Sequence, residues 1–378
     1  MTGEQCDFVE HIKTPLNACS LETLPPVSWG DNDKRIWPLM LGCYELDEST
    51  GTRNGRLDFY PVPVPQNGET FQGIGSPRNV IGPPNPLSGV LDGKWYPRRL
   101  DDESLVYATA HASGEIIAHK VEGEKIALIG RTESRDSGLC LSLAWDSNDG
   151  NSATASRIIS SYSDGKVGIH VINLSGGKIE FEETHFWDAH KMFRSPAEVW
   201  CAAFTSNPNV VLTGGDEGNL KIWDLRAGLI SPIHTLQDFS AGVTVISPHP
   251  RVDHVVACGS YDETVCIYDL RSVADSKPSP LCHSDSVGGG LWRMKWHPYD
   301  NKRLLLGAMH CGCRIVQLDD LSSKSMHFEV TQEFTKHESM AYGADWIVDT
   351  RAQVEAAASC SFYDRAFYVW NVNGYKNQ

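Results

Sequence analysis

The stretch Leu212-Thr213-Gly214-Gly215-Asp216-Glu217-Gly218-Asn219-Leu220-Lys221-Ile222-Trp223-Asp224-Leu225-Arg226 returns as Ala257-Cys258-Gly259-Ser260-Tyr261-Asp262-Glu263-Thr264-Val265-Cys266-Ile267-Tyr268-Asp269-Leu270-Arg271. From Asp224 to Asp269 the chain advances 45 positions. In both copies two short apolar runs flank a polar turn, and the second run ends on an aromatic residue followed by Asp. A unit of this size cannot bury its own apolar face, so copies must stack on one another. No other property of the chain constrains its fold as strongly.

Aligning the remaining runs on their turns yields seven copies, with the aromatic position held by Tyr60, His119, His170, Trp223, Tyr268, Gln317 and Trp370. The intervals are 59, 51, 53, 45, 49 and 53 residues. This period and the aromatic-Asp ending mark a WD-repeat β-propeller. The fold class is all-β, a single seven-bladed propeller domain over residues 1–378. First strands are expected at 90–95, 139–145, 199–204, 242–247, 291–296 and 342–346, with a weakly marked one near 17–22. The seventh copy lacks a fourth strand after Trp370, so residues 8–16 are expected to supply it and close the ring, hiding edges that would otherwise aggregate. The Pro- and Gly-rich segment 61–89 reads as a long surface loop.

No apolar run approaches the roughly 18 residues of a membrane helix, and the first residues carry acids where a signal peptide would be apolar. No membrane association is expected. Eleven scattered cysteines, an odd number with several inside apolar strand runs, fit a reducing cytoplasmic compartment. The net charge of −15 argues against a grip on nucleic acid backbone and suits a basic protein partner or a cationic substrate. A closed ring is expected to be a monomer. No phosphate-binding Gly-rich loop, Gly-x-Ser-x-Gly elbow or paired Cys-x-x-Cys is present, and no cofactor is expected. The cluster His310-Cys311-Gly312-Cys313 has no second half to complete a metal site, so no metal is expected.

In a WD blade, a His before the first strand, an acid in the turn after the second strand and the third-strand Trp form one hydrogen-bonded set. His190 with Glu217, and His337 with Asp364, fit that structural role; His283 occupies the same place, with Cys311 at the acid position. His249-Pro250 and His297-Pro298 follow first strands and read as turns on the bottom face.

The top face is built from loops entering first strands and turns leaving second strands. Trp200, Trp292, Arg293 and Tyr342 lie near the starts of first strands, while Asp216, Tyr261, His310 and Tyr363 lie in the turns. Repeat stability does not require this mixture. Aromatic residues on exposed loops mark a binding surface, either a substrate site or a protein-docking face.

The strings Gly288-Gly289-Gly290-Leu291-Trp292-Arg293-Met294-Lys295-Trp296-His297-Pro298, Met309-His310-Cys311-Gly312, Tyr342-Gly343-Ala344-Asp345-Trp346 and Cys360-Ser361-Phe362-Tyr363-Asp364 carry a more specific likeness. The chain resembles the WD-repeat diphthine methylesterases of diphthamide biosynthesis, over most of residues 90–371. The resemblance implies hydrolysis of the methyl ester of methylated diphthine, a modified histidine on translation elongation factor 2, before the freed carboxylate is amidated. Elongation factor 2 is then the implied partner. Because the modified residue carries a trimethylammonium group, Trp200, Trp292, Tyr342, Tyr261 and Tyr363 are candidate substrate-binding residues, with Asp216 or Asp345 supplying negative charge.

The resemblance transfers no catalytic residue. Face geometry alone nominates His310 as base, Ser361 as nucleophile and Arg293 as oxyanion stabiliser, with Asp345 beside them. Each has a packing alternative, Ser361 bonding backbone and Arg293 pairing with Asp345. The competing reading from another class is a non-catalytic WD scaffold, such as an adaptor in ubiquitin ligation or vesicle traffic.

Overall fold

Each repeat folds as an antiparallel meander whose first strand lies innermost. In the computed structural model, which describes all residues except 1–2, 30–33, 67–68, 82–86, 101, 124, 136–137, 147–155, 176, 275, 322–325 and 373–378, the strands form seven sheets of four to six strands and one two-stranded ribbon. The innermost strands are Asn17–Thr23, Val90–Trp95, Cys140–Trp145, Val199–Phe204, Val243–Pro248, Arg293–Trp296 and Ala341–Asp349, for blades 1 to 7. Each touches the next, and the seventh touches the first, so the ring is closed. The seven aromatic-position residues all lie in third strands, as the repeat alignment requires.

The core is distributed between the blades. Seven apolar clusters are found among the described residues, and each joins two adjacent blades. Leu212, Ile222 and Val243 meet Val256 and Tyr268 between blades 4 and 5, for example. Sheets whose apolar faces are covered only by neighbours have no stable isolated state, which is why the repeats come as a ring.

Indole groups reinforce this joining. Innermost strands of blades 2, 3, 6 and 7 contain Trp95, Trp145, Trp296 and Trp346 at or near their lower ends. Each donates Nε1–H to a carbonyl of the preceding blade: Glu22 at 3.2 Å, Lys94 at 3.1 Å, Ser247 at 2.9 Å and Lys295 at 3.1 Å. One side chain thus adds apolar area and satisfies a polar group across the joint.

The ring closes through Phe8–Lys13, which pairs antiparallel with Ala366–Asn371 in blade 7. The N-terminus does more than anticipated, because Glu4–Gln5 also adds in parallel to the outer strand Phe328–Phe334 of blade 6. Cys6, between the two pairings, is buried against blades 6 and 7.

Blade 1 departs from expectation in two ways. Its innermost strand is fully formed, and its weak sequence mark reflects small residues: a Cβ on neighbouring Gly42 would collide with Ser20 Oγ at 2.4 Å. Segment 61–89 is not simply a surface loop. The third strand runs on to Pro63, Asn79–Ile81 pairs with it as the fourth strand, and Ile74 is buried. Residues 67–68 and 82–86 of that segment lie outside the described residues.

Candidate functional site

Trp200 and Tyr342 are the second residues of their innermost strands, and Trp292 immediately precedes the third such strand. Tyr261 follows the second strand of blade 5. These four rings converge on the top face around the axis. Trp292 lies 5.4 Å from Trp200, 5.9 Å from Tyr261 and 4.9 Å from Tyr342, centroid to centroid, and Trp200 lies 6.0 Å from Tyr261. Phe362, 5.5 Å from Tyr342, extends the group to Tyr363 at 5.0 Å and to Tyr44 at 5.0 Å. The four central rings are half-buried, whereas Tyr363 is 69% exposed and forms the outer rim.

Negative charge stands at one side of this group. Asp216, exposed on the turn of blade 4, accepts the indole N–H of Trp200 at 3.0 Å. Glu198, half-buried at the entry to the same blade, accepts the Asp216 backbone N–H through its carbonyl at 2.9 Å. Burial, and then the Asp216 charge, push the Glu198 carboxyl up from its ordinary value. Burial followed by the same two carboxylates raises the Tyr261 hydroxyl to about 12. Aromatic faces beside carboxylates are what a quaternary ammonium group needs, since it has no N–H to donate and is held by ring quadrupoles and net charge.

Beneath the rings runs an axial cavity of about 490 Å³, lined from Trp200 and Trp292 at the top to Pro97 and Pro250 at the bottom. Side chains from blades 1, 2, 6 and 7 cross it as a chain of ion pairs. Arg293 meets Asp92 at 3.1 Å, Asp92 meets Lys94 at 2.8 Å, Lys94 meets Glu22 at 3.5 Å, Glu22 meets Lys295 at 2.5 Å and Lys295 meets Asp345 at 3.3 Å. Burial pushes the Asp92 carboxyl up, but Lys94 and Arg293 outweigh it and hold the group at about 2. Burial opposes charge on Arg293 as well, and Asp92 and Glu22 reverse the effect. The Arg293 Nε–H is buried without a hydrogen-bond partner among the described residues. The guanidinium, fixed by Asp92 and lining the cavity, is therefore a held cation.

The nominated catalytic residues do not form one constellation. Ser361 is fully buried: His337 Nδ1–H donates to its hydroxyl at 2.7 Å, and the hydroxyl donates to Asp364 at 2.5 Å. It completes the structural set of blade 7 and has neither a free lone-pair partner nor access to an ester. Asp345 is likewise buried, with backbone N–H groups of Thr23 and Trp346 each at 2.8 Å and Lys295 occupying its oxygens, so it is not the counter-charge of the aromatic group. Arg293 pairs with Asp92, not Asp345. His310 is exposed on the turn of blade 6 and has no hydrogen-bond or ion-pair partner among the described residues. His283 is exposed, and the neighbouring Ser284 takes the inward place, donating nothing to Cys311 but accepting the Val265 N–H at 2.9 Å.

Sequence reasoning missed Glu198, Phe362 and Tyr44. Phe362 and Glu198 adjoin residues already singled out, while Tyr44 lies in Lys34–Asp47, in the blade whose register was least marked.

The WD domain, G-beta repeat, matches residues 181–224 and 230–269. The diphthine methyltransferase of Homo sapiens is 32% identical across 94% of this chain and 78% of its own length. The diphthine methyltransferase homolog of Dictyostelium discoideum is 30% identical across 75% and 76% of the two chains. This chain belongs to the diphthine methyltransferase family. The Saccharomyces cerevisiae diphthine methyltransferase, 27% identical, aligns over 98% of this chain and 99% of its own. Likeness to these family members thus extends well beyond the two matched repeats, which hold Trp200 and Tyr261, to the blades that carry Trp292 and Tyr342.

Proposed function

We propose that this chain hydrolyses the methyl ester of methylated diphthine on translation elongation factor 2, releasing methanol and leaving the carboxylate for later amidation. Membership of the family gives it a role in diphthamide biosynthesis. The observation that carries the finer reading is the convergence of Trp200, Tyr261, Trp292 and Tyr342 beside Asp216 and Glu198. That group receives the trimethylammonium of the substrate.

With the cation seated among the rings, the ester carbonyl faces the axial cavity and Arg293. Water adds its oxygen to the acyl carbon, the carbonyl becomes an oxyanion, and methanol leaves with the proton as the tetrahedral centre collapses. Arg293, held by Asp92 in the cavity lining, supplies positive charge where the oxyanion develops. Glu198, which lies against Asp216 and precedes Trp200 at the mouth of the site, takes the water's proton; His310 has no partner among the described residues to orient it for this task. We place the reaction in the cytoplasm, with the chain acting as a monomer on the intact factor.

Trp292→Ala and Tyr342→Ala are expected to raise KM for the modified factor about tenfold, as loss of a desolvated cation–π contact requires. Arg293→Ala is expected to lower kcat about a hundredfold, the usual effect of losing an oxyanion donor. Steady-state kinetics unchanged in all three variants would overturn the reading.

A further inference from the structure

Between the structural His190 and the site residues Glu198 and Trp200, the chain makes a small excursion. Lys191–Met192 pairs antiparallel with Ser195–Pro196, leaving Phe193 and Arg194 as a two-residue hairpin turn. Its base is fixed: the Ala197 N–H donates to the His190 carbonyl at 3.2 Å, and His190 is fully buried. The hairpin also lies against blade 3, where a Cβ on Gly165 would meet the His190 carbonyl at 2.6 Å and Pro196 at 3.1 Å.

The tip is unlike the base. Phe193 is 100% exposed and has a φ of 56°, and Met192 beside it is 41% exposed. A two-residue hairpin with positive φ at its first central position favours glycine, because a Cβ is strained there. Folding alone gives no reason for phenylalanine at a strained, wholly solvated position. Arg194 is exposed with no ion-pair or hydrogen-bond partner among the described residues, in a chain of net charge −15. Lys191, by contrast, is matched by Asp188 at 3.0 Å.

We propose that the 191–196 hairpin is a docking finger for the protein that carries the modified histidine, with Phe193 entering an apolar hollow and Arg194 meeting a carboxylate at its rim. The proposal rests on the ester-hydrolase reading above. Its support is the continuity of the finger with the mouth of the site, since the chain leaving it reaches Glu198 and then Trp200, the second residue of Val199–Phe204, within a few residues. A small cationic group in the aromatic pocket offers little area for telling one protein from another. A rigid aromatic anchor outside the pocket supplies it, as buried aromatic and Arg residues do in other interfaces.

The test compares two substrates, the intact methylated factor and a short peptide bearing the same modified residue. Phe193→Gly, which relieves the turn, and Arg194→Glu are expected to raise KM for the intact factor about tenfold with kcat unchanged, and to leave peptide hydrolysis at the wild-type level. Unaltered KM for the intact factor, or an equal loss on factor and peptide, would overturn the docking role. Wild-type protein that hydrolyses neither substrate overturns the hydrolase reading instead. In that event calorimetric titration of the unreacted factor into wild type and Phe193→Gly still decides the docking role: weaker binding by the variant supports it, and equal binding refutes it.

Discussion

The imidazole of His190 holds blade 4 from both of its nitrogens. Trp223 donates to the Thr213 hydroxyl at 2.9 Å, that hydroxyl meets Nε2 at 2.7 Å, and Nδ1–H meets Glu217 at 2.7 Å. The relay is satisfied in one direction only, with a neutral ring and an ionised Glu217, whose carboxyl is driven up by burial but brought to about 2 by His190 and Lys221. His190→Ala takes a buried partner from both the Thr213 hydroxyl and Glu217 and is expected to cost about 2–4 kcal/mol in chemical denaturation. In blade 7 the relay has one more member, Trp370 to Ser359 to His337 to Ser361 to Asp364. Ser361→Ala is accordingly expected to lower stability by about 1–3 kcal/mol while leaving kcat on the ester near the wild-type value. A selective loss of kcat in a fully stable variant would return Ser361 to the catalytic site. Sequence spacing located His190 and Glu217 correctly because their set repeats, but it could not see that a serine intervenes in blade 7. A hydroxyl on a short side chain reads the same whether it faces solvent or completes a buried relay.

At the scale of the strand, the joints between blades depend on Trp95, Trp145, Trp296 and Trp346. Trp145→Phe keeps most of the apolar contact but leaves the Lys94 carbonyl without its donor, and is expected to cost about 1–2 kcal/mol. A change within experimental error would show that the joint is held by packing alone. Seven blades were legible because the turn before the third strand recurs at intervals of 45 to 59 residues, although only Trp223 and Tyr268 are followed by Asp. The fourth strand of blade 1, Asn79–Ile81, was not, because prolines on both sides give it a loop's composition. The aromatic group was legible in part. Trp200, Tyr261, Trp292 and Tyr342 stood out as misfits in a repeat, whereas Glu198 is an acid before a strand, and only the folded ring brings it to Asp216 and Tyr261.

For the molecule as a whole, the termini and the histidines set stability. Removing residues 1–16 takes away the fourth strand of blade 7 and the strand added to blade 6, exposing two sheet edges. The truncated chain is expected to aggregate in sedimentation at concentrations where the full chain stays in solution. Acid should act through histidines buried in the uncharged state. Burial lowers His111, His170, His297 and His337 to about 4 and His119 to about 3, against an ordinary value of 6.5. Above 6.5 neither state binds these protons, and the native state keeps its full advantage. As pH falls from 6.5 towards 4 the unfolded chain takes up protons that the folded chain refuses, so stability drops across that window. Denaturant midpoints at pH 7.5 and pH 5.5 (about one unit either side of the free imidazole pKa) should therefore differ, with the lower value in acid. Folding and chemistry meet in the central claim that the ring removes a methyl group rather than adding one. The most direct measurement is intact mass spectrometry of methylated-diphthine elongation factor 2 incubated with the purified chain and no methyl donor. The account predicts loss of the mass of one methylene as ester becomes acid, slowed in Trp292→Ala; an unchanged mass, or a gain of the same increment once a methyl donor is supplied, would contradict it.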